Sequence, residues 1–233
     1  IAAQLSSVKK VVVTGLVESR PDLSDIVSAI HYQDFLSAKP QALVFEALPF
    51  DHPLYIMYSS GTTGAPKCIV HSAGGTLLQH LKEHQLHTDI NSHDVLFYFT
   101  TCGWMMWNWL VSGLASECTV LLYDGSPFAG EGHLLIDAID AEKISVFGTS
   151  AKFISALEKA NIKPRESHSL TSLKTILSTG SPLSHESFDY VYRDFKSDVC
   201  LSSISGGTDI VSCFVLGNPV LPVYKGEIQC IGL

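Results

Sequence analysis

The sequence predicts an α/β fold in which mostly parallel β-strands form sheets flanked by helices. Short apolar runs rich in β-branched and aromatic residues recur along the 233-residue chain, and such runs suit buried strands. Segments with a helical spacing of apolar residues lie between them. Hydrophobic residues make up 46% of the chain and charged residues only 16%, which indicates a large buried core. Strands that alternate with helices are typical of a parallel sheet covered by helices.

Eight apolar runs are predicted as strands because each is short and contains bulky or β-branched side chains. They cover residues 10–13, 42–45, 54–58, 95–99, 119–123, 144–147, 174–177 and 198–201. In parallel sheets, ligands bind where loops leave the carboxyl ends of strands. The segments 58–67, 178–182 and 205–209 follow predicted strands, so we expect them to converge on one cleft.

Six segments between these strands are predicted as helices. They cover residues 24–30, 72–87, 104–115, 133–141, 150–160 and 184–195. The helix at 150–160 follows Thr149 and Ser150, whose hydroxyl groups can cap a helix start. Its Phe153, Ile154 and Leu157 share one face, as in a helix packed on a core.

Composition and charge argue against several classes of partner. The net charge is −8 and no lysine or arginine cluster occurs, whereas nucleic-acid binding requires concentrated positive charge. No segment reaches the roughly 18 apolar residues expected of a membrane span. Six cysteines occur without a C-x-x-C pair, which indicates reduced thiols and a cytosolic location. The chain begins with Ile1, and we expect it to be an internal fragment of a longer protein.

The stretch from Tyr58 to Lys67 suggests a phosphate-binding loop. It combines five hydroxyl side chains, two glycines and a lysine directly after an apolar run. Glycines let backbone N–H groups approach an anion, and the lysine adds positive charge. A Walker P-loop is excluded, because that motif needs a glycine before the lysine and a hydroxyl after it, where this chain has Pro66 and Cys68. A surface turn rich in Ser, Thr and Gly is the alternative interpretation.

This stretch closely resembles the ATP-phosphate loop of the adenylate-forming (acyl-CoA synthetase) superfamily. The residues from Tyr58 to Asp124, including the segments 68–72 and 103–109, are similar to members that activate acetoacetate. The resemblance implies a fold like part of the large N-terminal domain of those enzymes, with a loop that binds the β- and γ-phosphates of ATP. The residues implied in that role are Ser59, Ser60, Gly61, Thr62, Thr63, Gly64 and Lys67, with Lys67 also serving catalysis.

Two further segments gain a role from the resemblance. Residues 178–182 alone would pass for a plain strand-to-helix turn, but the resemblance places Gly180, Ser181 and Pro182 along the adenine. Residues 205–209 alone would be a tight glycine turn. The resemblance implies that Thr208 binds the α-phosphate and that Asp209 helps to hold Mg²⁺, both with catalytic roles.

The acyl pocket is implied in the same way. Related acetate-activating enzymes carry a tryptophan where this chain has Gly206, so we expect room for a longer acid such as acetoacetate. The resemblance places Trp104, Met105 and Met106 beside the acyl group, with Thr179 opposite. The alternative is that Trp104 belongs to an apolar helical stripe in the core.

Three histidines at helical spacing, His80, His84 and His87, could bind zinc, but a solvated polar face is the favoured interpretation. The segment 185–189 lacks the second histidine of an H-E-x-x-H motif, and no G-x-S-x-G motif of a serine hydrolase occurs.

The resemblance implies ATP- and Mg²⁺-dependent conversion of acetoacetate and CoA into acetoacetyl-CoA for lipid synthesis, through an acyl-adenylate. Residues 1–233 are then expected to be a fragment of the AMP-binding (adenylation) domain without the C-terminal lid domain and its catalytic lysine. Alone, the fragment should bind nucleotide weakly and have little or no ligase activity. Two alternatives stay open: a ligase for another short acyl or keto acid, and a truncated non-catalytic isoform that binds nucleotide.

Overall fold

A computed structural model describes residues 2–37, 39, 41–59 and 64–233. The chain divides into two compact units, Ile1–Ala47 and Leu48–Leu233. The first unit contains a 3₁₀ turn, a parallel pair of short strands and one turn of helix. Their bounds are Ala2–Gln4, Val11–Val13 (β1), Ala29–His31 (β2) and Tyr32–Phe35 (α1).

Two predictions for the first unit are wrong. Residues 24–28 form turns and 29–30 belong to β2, rather than a helix, and the Asp22 carboxylate accepts hydrogen bonds from the Ser24 backbone N–H and hydroxyl group. Residues 42–45 form no strand. Their apolar side chains are largely exposed, since no neighbouring strand among the described residues pairs with them.

A five-stranded parallel sheet forms the centre of the second unit, which confirms the predicted fold class. The strand order is β6-β5-β7-β8-β9, and every neighbouring pair is parallel. The bounds are Val95–Tyr98 (β5), Thr119–Leu121 (β6), Val146–Ser150 (β7), Thr175–Thr179 (β8) and Cys200–Ser203 (β9). Alternate residues point to opposite faces of the sheet and feed two hydrophobic clusters. Phe97 and Phe147 stack in one cluster, while Leu96 and Val146 lie in the other.

The predicted helices of the second unit are present, some with an irregular last turn. They are Ala73–Lys82 (α2), Met105–Ser112 (α3), Leu134–Ala141 (α4), Ala151–Lys159 (α5), Pro164–Ser167 (α6) and His185–Tyr190 (α7). Segments Glu83–His87 and Val191–Phe195 continue α2 and α7 as π-helices, and Gly113–Ser116 and Ala129–Gly132 are 3₁₀ turns. Helix α5 begins as predicted, because the Ser150 hydroxyl accepts a hydrogen bond from the Phe153 N–H at 3.1 Å.

Two antiparallel sheets flank this arrangement, and the sequence pattern predicted only one of their strands. Pro53–Ser59 (β3) pairs with Lys67–Ser72 (β4) as a hairpin that leads directly into α2. Ser205–Gly207 (β10), Ser212–Leu216 (β11) and Cys230–Ile231 (β12) form the other sheet. None of the helices that the structure describes is long and apolar enough to cross a membrane.

Candidate nucleotide and acyl site

The carboxyl ends of β8 and β9 open onto a first cavity of about 410 Å³. Gly180, Ser181 and Pro182 follow β8 and line one part of it, while Gly206 lies in its wall after β9. Gly180 has a φ of +87°, a conformation that favours glycine. Two of the predicted segments therefore meet where open α/β sheets bind ligands.

A second cavity of about 440 Å³ shares Thr179 and Gly180 with the first. Its walls are mostly apolar and are formed by Met106 and several aromatic residues, among them Trp104. Trp104 is 57% exposed, so it does not belong to the core stripe that was the alternative interpretation. The structure brings Trp104, Met106 and Thr179 together, in an arrangement suited to an acyl group.

A third cavity of about 380 Å³ lies between β3 and the start of α3. It is lined by Trp104, Met105 and Thr208, together with residues of β3. Met105 and Met106 thus face different cavities, although sequence resemblance grouped them. Since Trp104 borders both the second and the third cavity, the second cavity shares wall residues with each of the other two.

The hairpin β3–β4 carries the ends of the predicted phosphate loop. Ser59 and Lys67 face each other across the two strands, and the Lys67 side chain is exposed. Gly64 has a φ of +105°, which few other residues adopt. The four remaining loop residues predicted to bind phosphate lie outside the described residues: Ser60, Gly61, Thr62 and Thr63.

Thr208 and Asp209 lie in the turn that joins β10 to β11. Thr208 is half-buried and Asp209 is exposed. Within residues 2–37, 39, 41–59 and 64–233, no group of three or more metal-binding side chains occurs. Asp209 therefore stands as a single carboxylate, which fits Mg²⁺ because this ion commonly takes one or two carboxylates and fills its other positions with phosphate oxygens and water.

Gly206 is required by a close approach of two backbone segments. A β-bulge occurs between Ser205 and Gly206, and a Cβ atom on Gly206 would overlap the Ser212 carbonyl oxygen and come within 2.8 Å of Cys213 Cα. A side chain at this position would point at β11. The close approach of β11 therefore explains why residue 206 is a glycine, independently of the predicted gain of volume in the acyl pocket.

The three histidines of α2 are buried, so the prediction of a solvated face is wrong. Each imidazole contacts a backbone carbonyl oxygen. The pairs are His80 Nε2 with Val211 O at 2.6 Å, His84 Nε2 with Trp109 O at 3.0 Å, and His87 Nδ1 with Gly217 O at 2.9 Å. Burial lowers the pKa of His80, and it lowers the pKa of His84 to about 3. Imidazole N–H groups that donate to carbonyls account for these residues without a metal.

Sequence reasoning missed Glu83, a fully buried carboxylate at the centre of this region. It accepts hydrogen bonds from the Trp109 indole N–H and the Cys213 backbone N–H, each at 2.9 Å. Burial raises the pKa of Glu83, and the hydrogen bond from Cys213 opposes that rise. Its position three residues after His80, which places the two side chains on one helix face, was the available signal.

Comparisons with known proteins show the family and the fold. The sequence profile described as AMP-binding enzyme matches residues 2–226. The acetoacetyl-coenzyme A synthetase of Rhizobium meliloti (strain 1021) is 65% identical over 191 residues, which cover 82% of this chain and 29% of that protein. The acetoacetyl-CoA synthetase of Gallus gallus is 57% identical over 236 residues, covering 98% of this chain and 35% of that protein.

The solved structure of acetoacetyl-CoA synthetase from Streptomyces lividans is similar to this fold with a TM-score of 0.84 at 41% sequence identity. The match covers 93% of this chain and 33% of that one. The chain thus spans about a third of the length of the relatives it matches. Since the family profile extends over nearly all of its residues, the chain belongs to the family of AMP-binding enzymes.

Proposed function

We propose that this chain is the nucleotide- and acyl-binding part of an ATP-dependent acetoacetate–CoA ligase. The observation that carries the proposal is that the apolar second cavity shares walls with both others. It shares Thr179 and Gly180 with the cavity at the ends of β8 and β9, and Trp104 with the cavity beside the hairpin. The similar acetoacetyl-CoA synthetases support the choice of acid. Residues 1–233 are accordingly proposed as part of an adenylation domain, and the absence of disulfides supports a cytosolic setting.

Two chemical steps follow from this assignment. A carboxylate oxygen of acetoacetate attacks the α-phosphorus of ATP, and the bond to pyrophosphate breaks. The thiol of CoA then attacks the acyl carbonyl carbon, loses its proton and displaces AMP. Bound Mg²⁺ would supply positive charge to the phosphates during the first step.

Each segment has a defined share in binding. The loop that ends at Lys67 would hold the β- and γ-phosphates, and the Lys67 ammonium group would offset the charge that develops as pyrophosphate leaves. Gly180, Ser181 and Pro182 would lie along the adenine in the first cavity. Thr208 would donate its hydroxyl to the α-phosphate, and Asp209 would hold Mg²⁺ beside it.

The acyl group would enter the second cavity, where Trp104, Met106 and Thr179 meet. Aromatic and thioether walls favour a chain with methyl and methylene groups, since apolar surface leaves water on binding. A cavity of this size does not by itself separate acetoacetate from other short keto acids, so the acid is tested apart from the nucleotide.

The nucleotide part is tested by calorimetric titration of the 233-residue chain with Mg-ATP. We expect weak but measurable binding, and Lys67→Ala should weaken it about tenfold because a charge-assisted contact is lost. Asp209→Asn should weaken binding in Mg²⁺ and leave binding in EDTA unchanged. Lys159→Ala, an exposed lysine at the end of α5, is the matched control. A wild-type chain that binds no Mg-ATP would contradict the proposal.

The acid is tested with two sulfamoyl analogues of the acyl-adenylate, one carrying an acetoacetyl and the other an acetyl group. The acetoacetyl analogue should bind more tightly, and Met106→Ala should reduce that preference while binding of AMP stays unchanged. Equal affinities for the two analogues would remove the assignment to acetoacetate but leave the nucleotide site intact.

A further inference from the structure

Side chains from β4, from α2 and from the π-helical segment that continues α2 contact the segment 208–217 from its first residue to its last. Five polar groups of that segment are contacted in sequence order. The pairs are His71 Nε2 with Thr208 O (2.8 Å), His80 Nε2 with Val211 O (2.6 Å), Gln79 Nε2 with Ser212 Oγ (3.0 Å), Glu83 Oε1 with Cys213 N (2.9 Å) and His87 Nδ1 with Gly217 O (2.9 Å). The turn with Thr208 and Asp209 therefore depends on the segment that follows the phosphate loop.

That turn has an unusual backbone conformation. Val211 has a φ of +51°, in the left-handed region that β-branched residues rarely adopt, and its side chain is buried. Such a conformation persists only where surrounding contacts hold it. Within the turn, the Thr208 carbonyl oxygen accepts a hydrogen bond from the Val211 N–H at 3.3 Å. The turn should relax if the contacts that side chains outside it make with its backbone (its outer contacts) were removed.

The outer contacts at both ends of the turn are imidazoles. His71 holds the carbonyl of Thr208, the first residue, and His80 holds the carbonyl of Val211, the last residue. His80 is fully buried, and its other ring nitrogen lies 2.8 Å from the Ser112 hydroxyl on α3. His71 is half-buried and lies on the same strand as Lys67. Strand β4 thus carries both Lys67, a proposed phosphate ligand, and His71, which contacts the turn proposed to bind the α-phosphate.

We propose that His71 and His80 are positioning residues that hold the turn Thr208–Val211 in its ligand-binding conformation. The proposal rests on the proposed nucleotide site. Neither imidazole lines the three cavities. Each contacts a backbone carbonyl at one end of the turn that carries the Thr208 hydroxyl and the Asp209 carboxylate. Loss of either contact should let the turn open and separate Thr208 from the hairpin.

The test compares substitutions that remove or keep the side-chain N–H donor. His71→Phe and His80→Phe remove it, whereas His71→Gln and His80→Gln keep a donor at a similar reach. We measure the dissociation constant for Mg-ATP and the hydrogen exchange of the amides at 208–211 without ligand. Both Phe variants should bind about tenfold more weakly and exchange faster at the turn, and both Gln variants should recover most of the loss.

His84→Phe is the matched control. His84 lies on the same helix and is equally buried, but it contacts Trp109 on α3 rather than the turn. This variant should be less stable yet exchange at 208–211 like the wild type. If it disturbed the turn and weakened binding as much as His80→Phe does, the effect would be general destabilisation and the proposal would be overturned.

The remaining outcomes also decide the matter. Folded Phe variants that bind Mg-ATP like the wild type would overturn the proposal and leave the nucleotide site standing. If His80→Phe does not fold, the comparison of His71→Phe with His71→Gln decides the test, because His71 is only half-buried. If the wild type binds no Mg-ATP, the proposed function fails. The positioning role is refuted separately if hydrogen exchange of the amides at 208–211 is unchanged in His71→Phe.

Discussion

At the scale of single residues, the surroundings of a side chain decide its role more than its type does. Gly206 was expected to be small so that the acyl pocket could be large, yet its missing side chain would point into the backbone of β11. His84 was expected on a solvent-exposed face and is instead buried, with a neutral ring that contacts a backbone carbonyl oxygen. Both facts lead to measurable consequences.

Substitution of Gly206 by alanine should destabilise the fold. The added methyl group overlaps the Ser212 carbonyl, and forced overpacking costs roughly 1–3 kcal/mol of unfolding free energy. Urea denaturation of the variant measures the loss. Gly103→Ala is the control at the rim of the same site, because its nearest neighbour would lie 3.8 Å away. Equal stabilities of the two variants would show that β11 does not restrict position 206.

The free energy of unfolding should depend on pH through His84. Its pKa is about 3 in the folded chain against the ordinary 6.5, so the unfolded chain binds more protons between these values. Stability should therefore fall as the pH drops from 6.5 towards 3, by up to about 1.4 kcal/mol per pH unit for one group. His84→Gln keeps a donor for the Trp109 carbonyl but cannot titrate, so its slope should be shallower. Identical slopes would contradict this account.

At the scale of elements, helices were easier to predict than the strands of the two small sheets. The spacing of apolar residues and the cap residue before α5 are local signals, and both are reflected in the structure. Strand β4 has only the short apolar run at 68–70 between Lys67 and His71, too little to indicate a strand without its partner β3. Antiparallel pairing depends on both strands together, since each needs the other's hydrogen bonds.

The cap of α5 offers a test at this scale. Ser150→Ala removes the acceptor for the Phe153 N–H and should lower the free energy of unfolding by about 1 kcal/mol. Ser72 occupies the same position before α2 but its side chain makes no cap hydrogen bond, so Ser72→Ala is a matched control with little expected effect. The comparison is made by thermal and urea unfolding, and a larger loss in the Ser72 variant would refute the assignment.

At the scale of the whole molecule, burial is unevenly distributed. Among the residues that the structure describes, none before Thr76 is buried. Both hydrophobic clusters lie within Leu48–Leu233. Since apolar burial is the main favourable term in folding, the second unit should contain most of the stability of the chain.

Residues 48–233 expressed alone should therefore fold cooperatively, with a free energy of unfolding within about 1 kcal/mol of the whole chain's main transition. Circular dichroism during urea unfolding measures this. The control deletes the same number of residues from the other end, 187–233, which removes β9 together with core residues such as Phe188 and Leu201. That variant should not fold, and loss of folding in the first truncation instead would disprove the assignment of stability.

Sequence alone determined the α/β class and most helices, because these depend on local spacing, and its motif residues predicted the binding segments at 58–67, 178–182 and 205–209. Only the tertiary structure decided which side chains meet. It placed Met105 and Met106 in the walls of different cavities, and it brought the β11 backbone too close to Gly206 for a side chain there. It also buried the histidines of α2 and its π-helical continuation, which contact the backbone of Val211 and Trp109. The physical reason is that burial and hydrogen bonds join separate segments, some as far apart in sequence as His71 and Thr208, and no local pattern encodes such a pair.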